Sequence, residues 1–131
     1  MNESELKELI NNDKGFIKSQ NYKLESANNE FVKLSYKIKK DGLNPYDIVH
    51  GGVLFGLADT ASGVLAAFHN KKCVTTNGSI NYLSPAREGL IYAIAKSLKE
   101  GKKIGYYTVD IYDENNNLLA TSIFNMYYLD K

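Results

Sequence analysis

A chain of 131 residues, 44% hydrophobic and 24% charged, is the size of one domain and has the balance of a globular protein that buries its own core. That leaves no room for a second substrate or cofactor domain, and it excludes disordered, collagen-like and coiled-coil chains. Sixteen Lys and Arg against fifteen Asp and Glu give a net charge of +1, too little for a general binder of nucleic acid or anionic membranes, so any basic patch must be local.

Ser4 to Asn12 reads as a short amphipathic helix capped by Ser4, with Leu6, Leu9 and Ile10 at helical spacing. The period then changes to two, predicting strands from Phe16 to Ser26 and from Phe31 to Lys39 around the turn Ala27-Asn28-Asn29-Glu30. Asp41 to Val49, with its Gly, Pro and Asn, is a loop. From Gly51 to Phe68 runs a long apolar stretch with helical periodicity, in which Asp59 is the only charged residue. Its glycines and its aspartate disfavour a membrane span, and its composition predicts a helix buried almost all round. Four more strands follow, roughly Val74 to Leu83, Gly89 to Leu98, Lys103 to Tyr112 and Leu118 to Leu129, joined by short turn-like connections that predict antiparallel neighbours. This is an α+β chain, one domain over 1–131, with a six-stranded sheet around one helix. A helix covered on one side by a sheet needs a second cover, and the simplest is a second subunit.

Three features carry chemistry. His50-Gly51-Gly52 opens the long helix, so the first amides lack intrahelical partners and the dipole favours negative charge; the Gly51 and Gly52 N–H groups suit an oxyanion. Asp59 persists in an apolar helix only with a partner, such as Thr60, Ser62 or Thr75, or with a role. Gly51 and Asp59 lie eight positions apart, about 12 Å along a helix, too far to act on one carbon. Two helices packed antiparallel about a twofold axis bring the start of one beside the middle of the other, giving two composite sites per obligate homodimer. Gly52, Gly56 and Gly63 form a small face that would allow this approach.

Asn44, His50-Gly51-Gly52, Asp59 nine residues after the histidine, and Thr75 to Ala86 reading TTNGSINYLSPA together resemble the hot dog fold thioesterases of the phenylacetate-pathway PaaI type, from about residue 30 onward. The resemblance implies hydrolysis of an acyl-CoA thioester by a dimer in which a sheet wraps a central helix. It gives Asp59 the catalytic carboxylate position and Gly51 the backbone donor to the carbonyl, with Asn44 and His50 nearby, and puts Thr75 where relatives use a hydroxyl to orient water. Thr76, one register step away, would face the other side of the strand. Asp59 then acts as general base on water or as a nucleophile, while His50 holds the loop or the substrate.

Coenzyme A enters as part of the substrate, so no separate cofactor is expected. Its phosphates could meet Arg87, Lys102 and Lys103, with Lys71 and Lys72; where many relatives carry Gly-Arg this chain has Gly101-Lys102-Lys103. No metal-ligand spacing is present. His69 reads as an exposed helix cap without a role, Cys73 as a packing residue, and Tyr106, Tyr107, Tyr112, Tyr127 and Tyr128 as sheet packing. A lone cysteine and a start, Met1-Asn2-Glu3-Ser4-Glu5, without a signal-peptide pattern point to the cytoplasm. Two alternatives stay open: a non-catalytic acyl-CoA sensor, and an acyl-thioester hydratase or dehydratase, whose His-then-Phe-Pro and helix Glu are missing here. Neither nucleic acid nor membrane is an expected partner. Dimers could pair into a homotetramer, and the acyl group depends on how Leu54, Phe55, Ile80 and Tyr82 pack.

Overall fold

The structure, a computed structural model, describes residues 1–129. Helix α1 covers Glu3–Asn11 and is capped by Asn2, not Ser4. Asn2 Oδ1 accepts from the Glu5 amide at 2.8 Å and Glu5 Oε1 accepts from the Asn2 amide at 2.9 Å. That reciprocal box satisfies two free amides, whereas Ser4 as cap would face Lys7, which has no acceptor to return.

The expected strand from Phe16 to Ser26 holds only in its second half. Phe16–Gln20 is a short helix, α2, closed by Asn21 in the left-handed region at φ 59°. Asp13 Oδ2 draws in the Gly15 and Lys18 amides at 3.0 and 3.3 Å, and such local side-chain bonds outcompete a strand ladder. Strand β1 is then Lys23–Ala27 and β2 is Phe31–Lys37. Between them Asn28 Oδ1 accepts the Glu30 and Phe31 amides, making the turn.

Helix α3 spans Gly51–Phe68, as the periodicity predicts, and the remaining strands are β3 Cys73–Tyr82, β4 Leu90–Glu100, β5 Ile104–Asp113 and β6 Leu118–Tyr128. All pairings are antiparallel and the order is β1-β2-β4-β5-β6-β3. The expectation that β3 and β4 are neighbours fails: β3 pairs with β6 at the far edge, and residues 83–89 cross the end of the sheet to reach β4. Seven extended residues reach about 23–25 Å, ample for three strand spacings of about 4.8 Å each.

The sheet curls around α3. Leu57, Ala58, Ala61 and Leu65 are fully buried, with Ala93, Ala95 and Ala120 among the small strand residues of the same core. The opposite side of α3 is not buried all round. Gly56 lies under the Phe16 ring and the Tyr22 hydroxyl, each 3.0 Å from where a Cβ would stand, so the chain's own N-terminal segment supplies part of the cover expected from a second subunit. A strip holding Gly52, Asp59 and Gly63 stays at least partly open.

His69 departs from its reading as an exposed cap. It caps α3, but its side chain is 15% exposed and both ring nitrogens are engaged. Nδ1 lies 2.9 and 3.0 Å from the two Glu100 oxygens and Nε2 lies 2.9 Å from the Asn29 carbonyl. With the carboxylate ionised neither acceptor carries a proton, so the imidazolium is the form that satisfies both bonds. The Tyr107 hydroxyl also donates to Glu100 at 2.8 Å and meets the Tyr128 hydroxyl at 2.7 Å. The acid sits 31 residues from the histidine, and only the sheet brings it there.

Burial pushes the Glu100 carboxyl up, but hydrogen bonds from His69 and Tyr107 and the charges of His69 and Lys71 outweigh it and hold Glu100 below the usual carboxylate range. A depressed carboxylate stabilises the fold above the unfolded pKa and loses that contribution as pH falls through the folded one. Glu100→Gln should therefore destabilise the protein by about 0.5–1 kcal/mol at pH 7, since the carboxylate is partly exposed and screened by solvent, with the gap to wild type narrowing in acid. Thermal melts of both proteins from pH 7 to pH 3 check this; a gap independent of pH would contradict it.

Candidate active site

The loop before α3 is built by Asn44. Its Oδ1 accepts from the Tyr46 amide at 2.9 Å and the Ile48 amide at 3.1 Å, and its backbone amide donates to the Ile48 carbonyl at 2.7 Å. Asp47 takes a positive φ of 60°, and Leu43 bridges Val49 to close the loop. Asn44 thus shapes the approach to the helix, its carbonyl oxygen fully engaged in the loop.

His50 is the N-cap: its Nδ1 accepts from the Gly52 amide at 2.8 Å, while its own amide donates to the Gly42 carbonyl at 2.8 Å. Of the two roles the sequence leaves open to His50, holding the loop or the substrate, these bonds are of the first kind. The Nδ1 bond also removes Gly52 from the expected pair of oxyanion donors, because its N–H is already bonded. The Gly51 N–H has no acceptor among the described residues and stands at the positive end of an 18-residue helix.

Sequence reasoning left Tyr82 as a pocket-wall residue, and the structure gives it a further task. From the end of β3 its hydroxyl donates to the Gly51 carbonyl at 2.8 Å, and its ring lies 3.1 Å from where a Gly51 Cβ would be. A side chain at 51 would push the ring aside, a second reason for glycine there. Burial pushes the Tyr82 hydroxyl pKa up, keeping it a donor. Tyr82, Gly51, Leu54, Val49, Pro85 and Ala86 line a cleft of about 350 Å³. Nothing in the linear sequence puts residue 82 beside residue 51; only β3 running back along α3 does.

Asp59 sits two turns further on, half-buried, and Thr75 Oγ1 donates to its Oδ1 at 2.5 Å. Of the three hydroxyls the sequence offers, the structure selects Thr75 and sends Ser62 back to the Ala58 carbonyl. The ladder between β3 and β6 slips at Thr75/Asn77, leaving Thr76 as an extra residue whose hydroxyl donates to the Asn125 carbonyl. This bulge moves the inward phase from odd to even positions. Thr75 faces Asp59 before it; afterwards Gly78 lies against Phe124 and Phe55, and Tyr82 reaches Gly51. One inserted residue lets a single strand serve both halves of the site. Burial, then the Asp59 charge, push the Cys73 thiol up, consistent with a packing residue.

The structure therefore brings together Asp59 with Thr75, and Asn44 and His50 with Gly51, but separates the two groups by about 12 Å of helix. The basic residues divide as well. Lys71, Lys72, Lys102 and Lys103 line one cleft of about 950 Å³ with His69 and Tyr128, at the C-terminal end of α3. Arg87 is exposed in the 83–89 crossover and does not line that cleft. Among the described residues no group of His, Cys, Asp and Glu could hold a metal ion.

The profile of the thioesterase superfamily matches residues 46–120, which include Gly51, Asp59, Thr75 and Tyr82. An inferred esterase of Archaeoglobus fulgidus is 30% identical over 102 residues, 77% of this chain; the chain spans 66% of that relative's length. The acyl-coenzyme A thioesterase PaaI of Escherichia coli is 28% identical over 96 residues, 72% of this chain and 69% of PaaI. Its structure superimposes with a TM-score of 0.88 over 94% of this chain and 89% of that one, at 24% identity. A hypothetical thioesterase of Streptococcus pneumoniae TIGR4 with coenzyme A gives a TM-score of 0.81 over 88% and 98% of the two chains, also at 24% identity. The same protein has been solved with a threonine and with an aspartate replaced by alanine. The shared architecture is the hot dog fold.

If His50 and Tyr82 hold the start of α3 as described, His50→Ala should destabilise the protein by about 0.5–2 kcal/mol and Tyr82→Phe by about 0.5–1.5 kcal/mol. Denaturant melts read both; unchanged midpoints would mean that neither bond contributes.

Proposed function

The chain belongs to the thioesterase superfamily, and on that premise we propose that it hydrolyses an acyl-CoA thioester to the free acid and coenzyme A. The observation that carries the reading is Asp59: a carboxylate in an apolar helix, bonded to one hydroxyl, on the strip of α3 that the chain leaves open. A water held by Asp59 attacks the thioester carbon and gives its proton to the carboxylate. The carbonyl oxygen gathers charge and is met by a Gly51 N–H at a helix N-terminus. As the tetrahedral centre collapses, the carbon–sulfur bond breaks, CoA leaves as the thiolate, and the proton on Asp59 returns to solvent or to sulfur. Thr75 orients the carboxylate. In the Streptococcus pneumoniae relative the replaced aspartate and threonine are sixteen positions apart, the separation of Asp59 and Thr75. Transfer of label from oxygen-18 water into Asp59 in one turnover would mark the nucleophilic route instead.

The Gly51 N–H in this mechanism belongs to the partner subunit of a homodimer. Within one chain the two groups are about 12 Å apart, and among the described residues β3 is a ten-residue edge strand paired with β6 alone, the kind of edge that pairs with a second copy. A homotetramer extends the same proposal: Ile104, Ile123 and Tyr127 share the outer sheet face, each more than a third exposed.

The four-lysine cleft begins about 14 Å along α3 from Asp59, a separation that the pantetheine arm can bridge. Lysines 71, 72, 102 and 103 then meet the phosphates of coenzyme A; Arg87, near the helix start, is a separate candidate.

Asp59→Asn should lower kcat by roughly 10²–10⁴ with KM little changed, measured by trapping the released thiol. Replacing Lys102 and Lys103 by alanine should raise KM for acyl-CoA, but not for the matching N-acetylcysteamine thioester, which lacks phosphates; added salt should shrink the difference. Full turnover by Asp59→Asn would overturn the mechanism, and tight acyl-CoA binding without turnover in the wild type would favour the sensor.

A further inference from the structure

An acid beside a phosphate cleft works against binding, yet Glu100 stands directly before Gly101-Lys102-Lys103, the turn that carries two of the four cleft lysines. Its place has a counterpart. His69 stands directly before Asn70-Lys71-Lys72, the segment that carries the other two. The ion pair between His69 Nδ1 and Glu100 Oε1, at 2.9 Å, therefore joins the two lysine-bearing walls at their roots, one at the end of α3 and the other at the end of β4.

Beyond this joint each wall turns sharply and docks on the end of β6. Asn70 takes a φ of 61°, and the Lys71 amide donates back to the Ala66 carbonyl at 2.9 Å. In the facing wall the Gly101 amide donates to the Ile104 carbonyl at 2.9 Å. Two consecutive amides then hold both walls: Tyr128 donates to the Lys103 carbonyl at 2.8 Å and Leu129 to the Lys72 carbonyl at 2.7 Å. The Lys71 ammonium lies 4.8 Å from the centre of the Tyr128 ring. The hydroxyl of that ring is 2.7 Å from the Tyr107 hydroxyl and 3.5 Å from Glu100 Oε2, in space that a Cβ at Gly105 would occupy. Both ring nitrogens of His69 are engaged, so the imidazole has no N–H to offer a phosphate, and its part in the cleft is to hold the walls.

We propose that His69 and Glu100 are the positioning pair of this cleft: ion-paired, they set the 70–72 and 101–103 segments at the spacing that grips the phosphates of coenzyme A, and loss of the His69 proton releases them. The proposal rests on the reading of the lysine cleft given above and adds a regulation of the same site, an affinity for the nucleotide end of the substrate that falls as pH rises. A neutral imidazole has one N–H for two acceptors, so it gives up either Glu100 or the Asn29 carbonyl. Among the described residues the other titratable groups facing the pair are Lys71 after α3, Tyr107 on β5 and Tyr128 on β6, with Cys73 of β3 behind Tyr128. Burial above all pushes Tyr107, Tyr128 and Cys73 up, and Glu100, despite its burial, is held low by the bonds from His69 and Tyr107. The imidazole is left as the member that changes charge between about pH 5 and pH 8.

Calorimetric titration with coenzyme A tests the pair in the wild type, Glu100→Gln, His69→Gln and a Lys102→Ala/Lys103→Ala double variant, beside turnover of the phosphate-free N-acetylcysteamine thioester. Charge alone predicts that removing an acid from an anion site tightens binding. Positioning predicts the opposite: Glu100→Gln should weaken coenzyme A binding by about fivefold or more, with N-acetylcysteamine turnover at the wild-type level. Wild-type affinity for dephospho-coenzyme A, whose diphosphate does not titrate in this range, should fall from about pH 5 to pH 8, and His69→Gln should abolish that fall. The wild-type profile needs no substitution and decides the matter even where a variant does not fold. Unchanged or tighter binding by Glu100→Gln, or a flat wild-type profile, would overturn the positioning pair, while weaker binding by the double lysine variant would still uphold the cleft. Unchanged binding by the double lysine variant would remove the cleft and the pair with it.

Discussion

An eighteen-residue helix with a single charged side chain must be covered on nearly every side, and the rest of the molecule is arranged by how that cover is supplied. The curled sheet takes the face of Leu57, Ala61 and Leu65. The N-terminal helices take Gly56 and the flank beyond it. What is left is a strip through Gly52, Asp59 and Gly63, and that strip holds the one carboxylate in the helix. An apolar surface that a protein leaves uncovered beside a carboxylate belongs to a ligand or to a second copy of the chain; in the proposed dimer it belongs to both.

The two ends of the strip are set by local devices of different kinds. At the helix start a histidine side chain takes one amide and leaves the one before it free, so the donor is defined by subtraction. Two turns on, a threonine fixes one oxygen of Asp59. Strand β3 reaches both because a bulge at Thr76 changes its phase midway. Without the bulge, Thr75 and Tyr82 would point to opposite faces, since seven positions is an odd number in a period of two. The clasp of His69, Glu100, Tyr107 and Tyr128 then ties the far end of α3 to the sheet, which fixes the base of the lysine cleft.

Where a property depends on periodicity or composition, the sequence was legible. The bounds of α3, the six strands and the wrapped helix all follow from local patterns, and the joint spacing of His50, Gly51 and Asp59 pointed to the candidate site. What was not legible depends on long-range pairing. A short connection between β3 and β4 looks like a hairpin whether or not the strands are neighbours, and only the sheet order reveals a crossover. Alternation from Phe16 onward looked like a strand because the competing bonds from Asp13 leave no mark on hydrophobic period. His69 finds its acid, and Tyr82 its glycine, across 31 residues each. A bulge, one residue in a run of polar ones, has no signature at all in TTNGSINY. The division of Arg87 from the lysines has the same origin, because proximity to loops and strand ends does not say which end of the helix a loop serves.

The claim on which the function rests most heavily is that each site combines Asp59 of one subunit with the Gly51 N–H of the other. Gly51→Pro removes that N–H at a first helical position whose backbone suits proline, at the cost of displacing the Tyr82 ring, and Asp59→Asn removes the base. Neither homodimer should turn over thioester. Unfolded together in equal amounts and refolded, the two should recover about a quarter of wild-type activity, because half the dimers would be mixed and each mixed dimer would contain one intact site. A mixture no more active than its components would contradict the shared site.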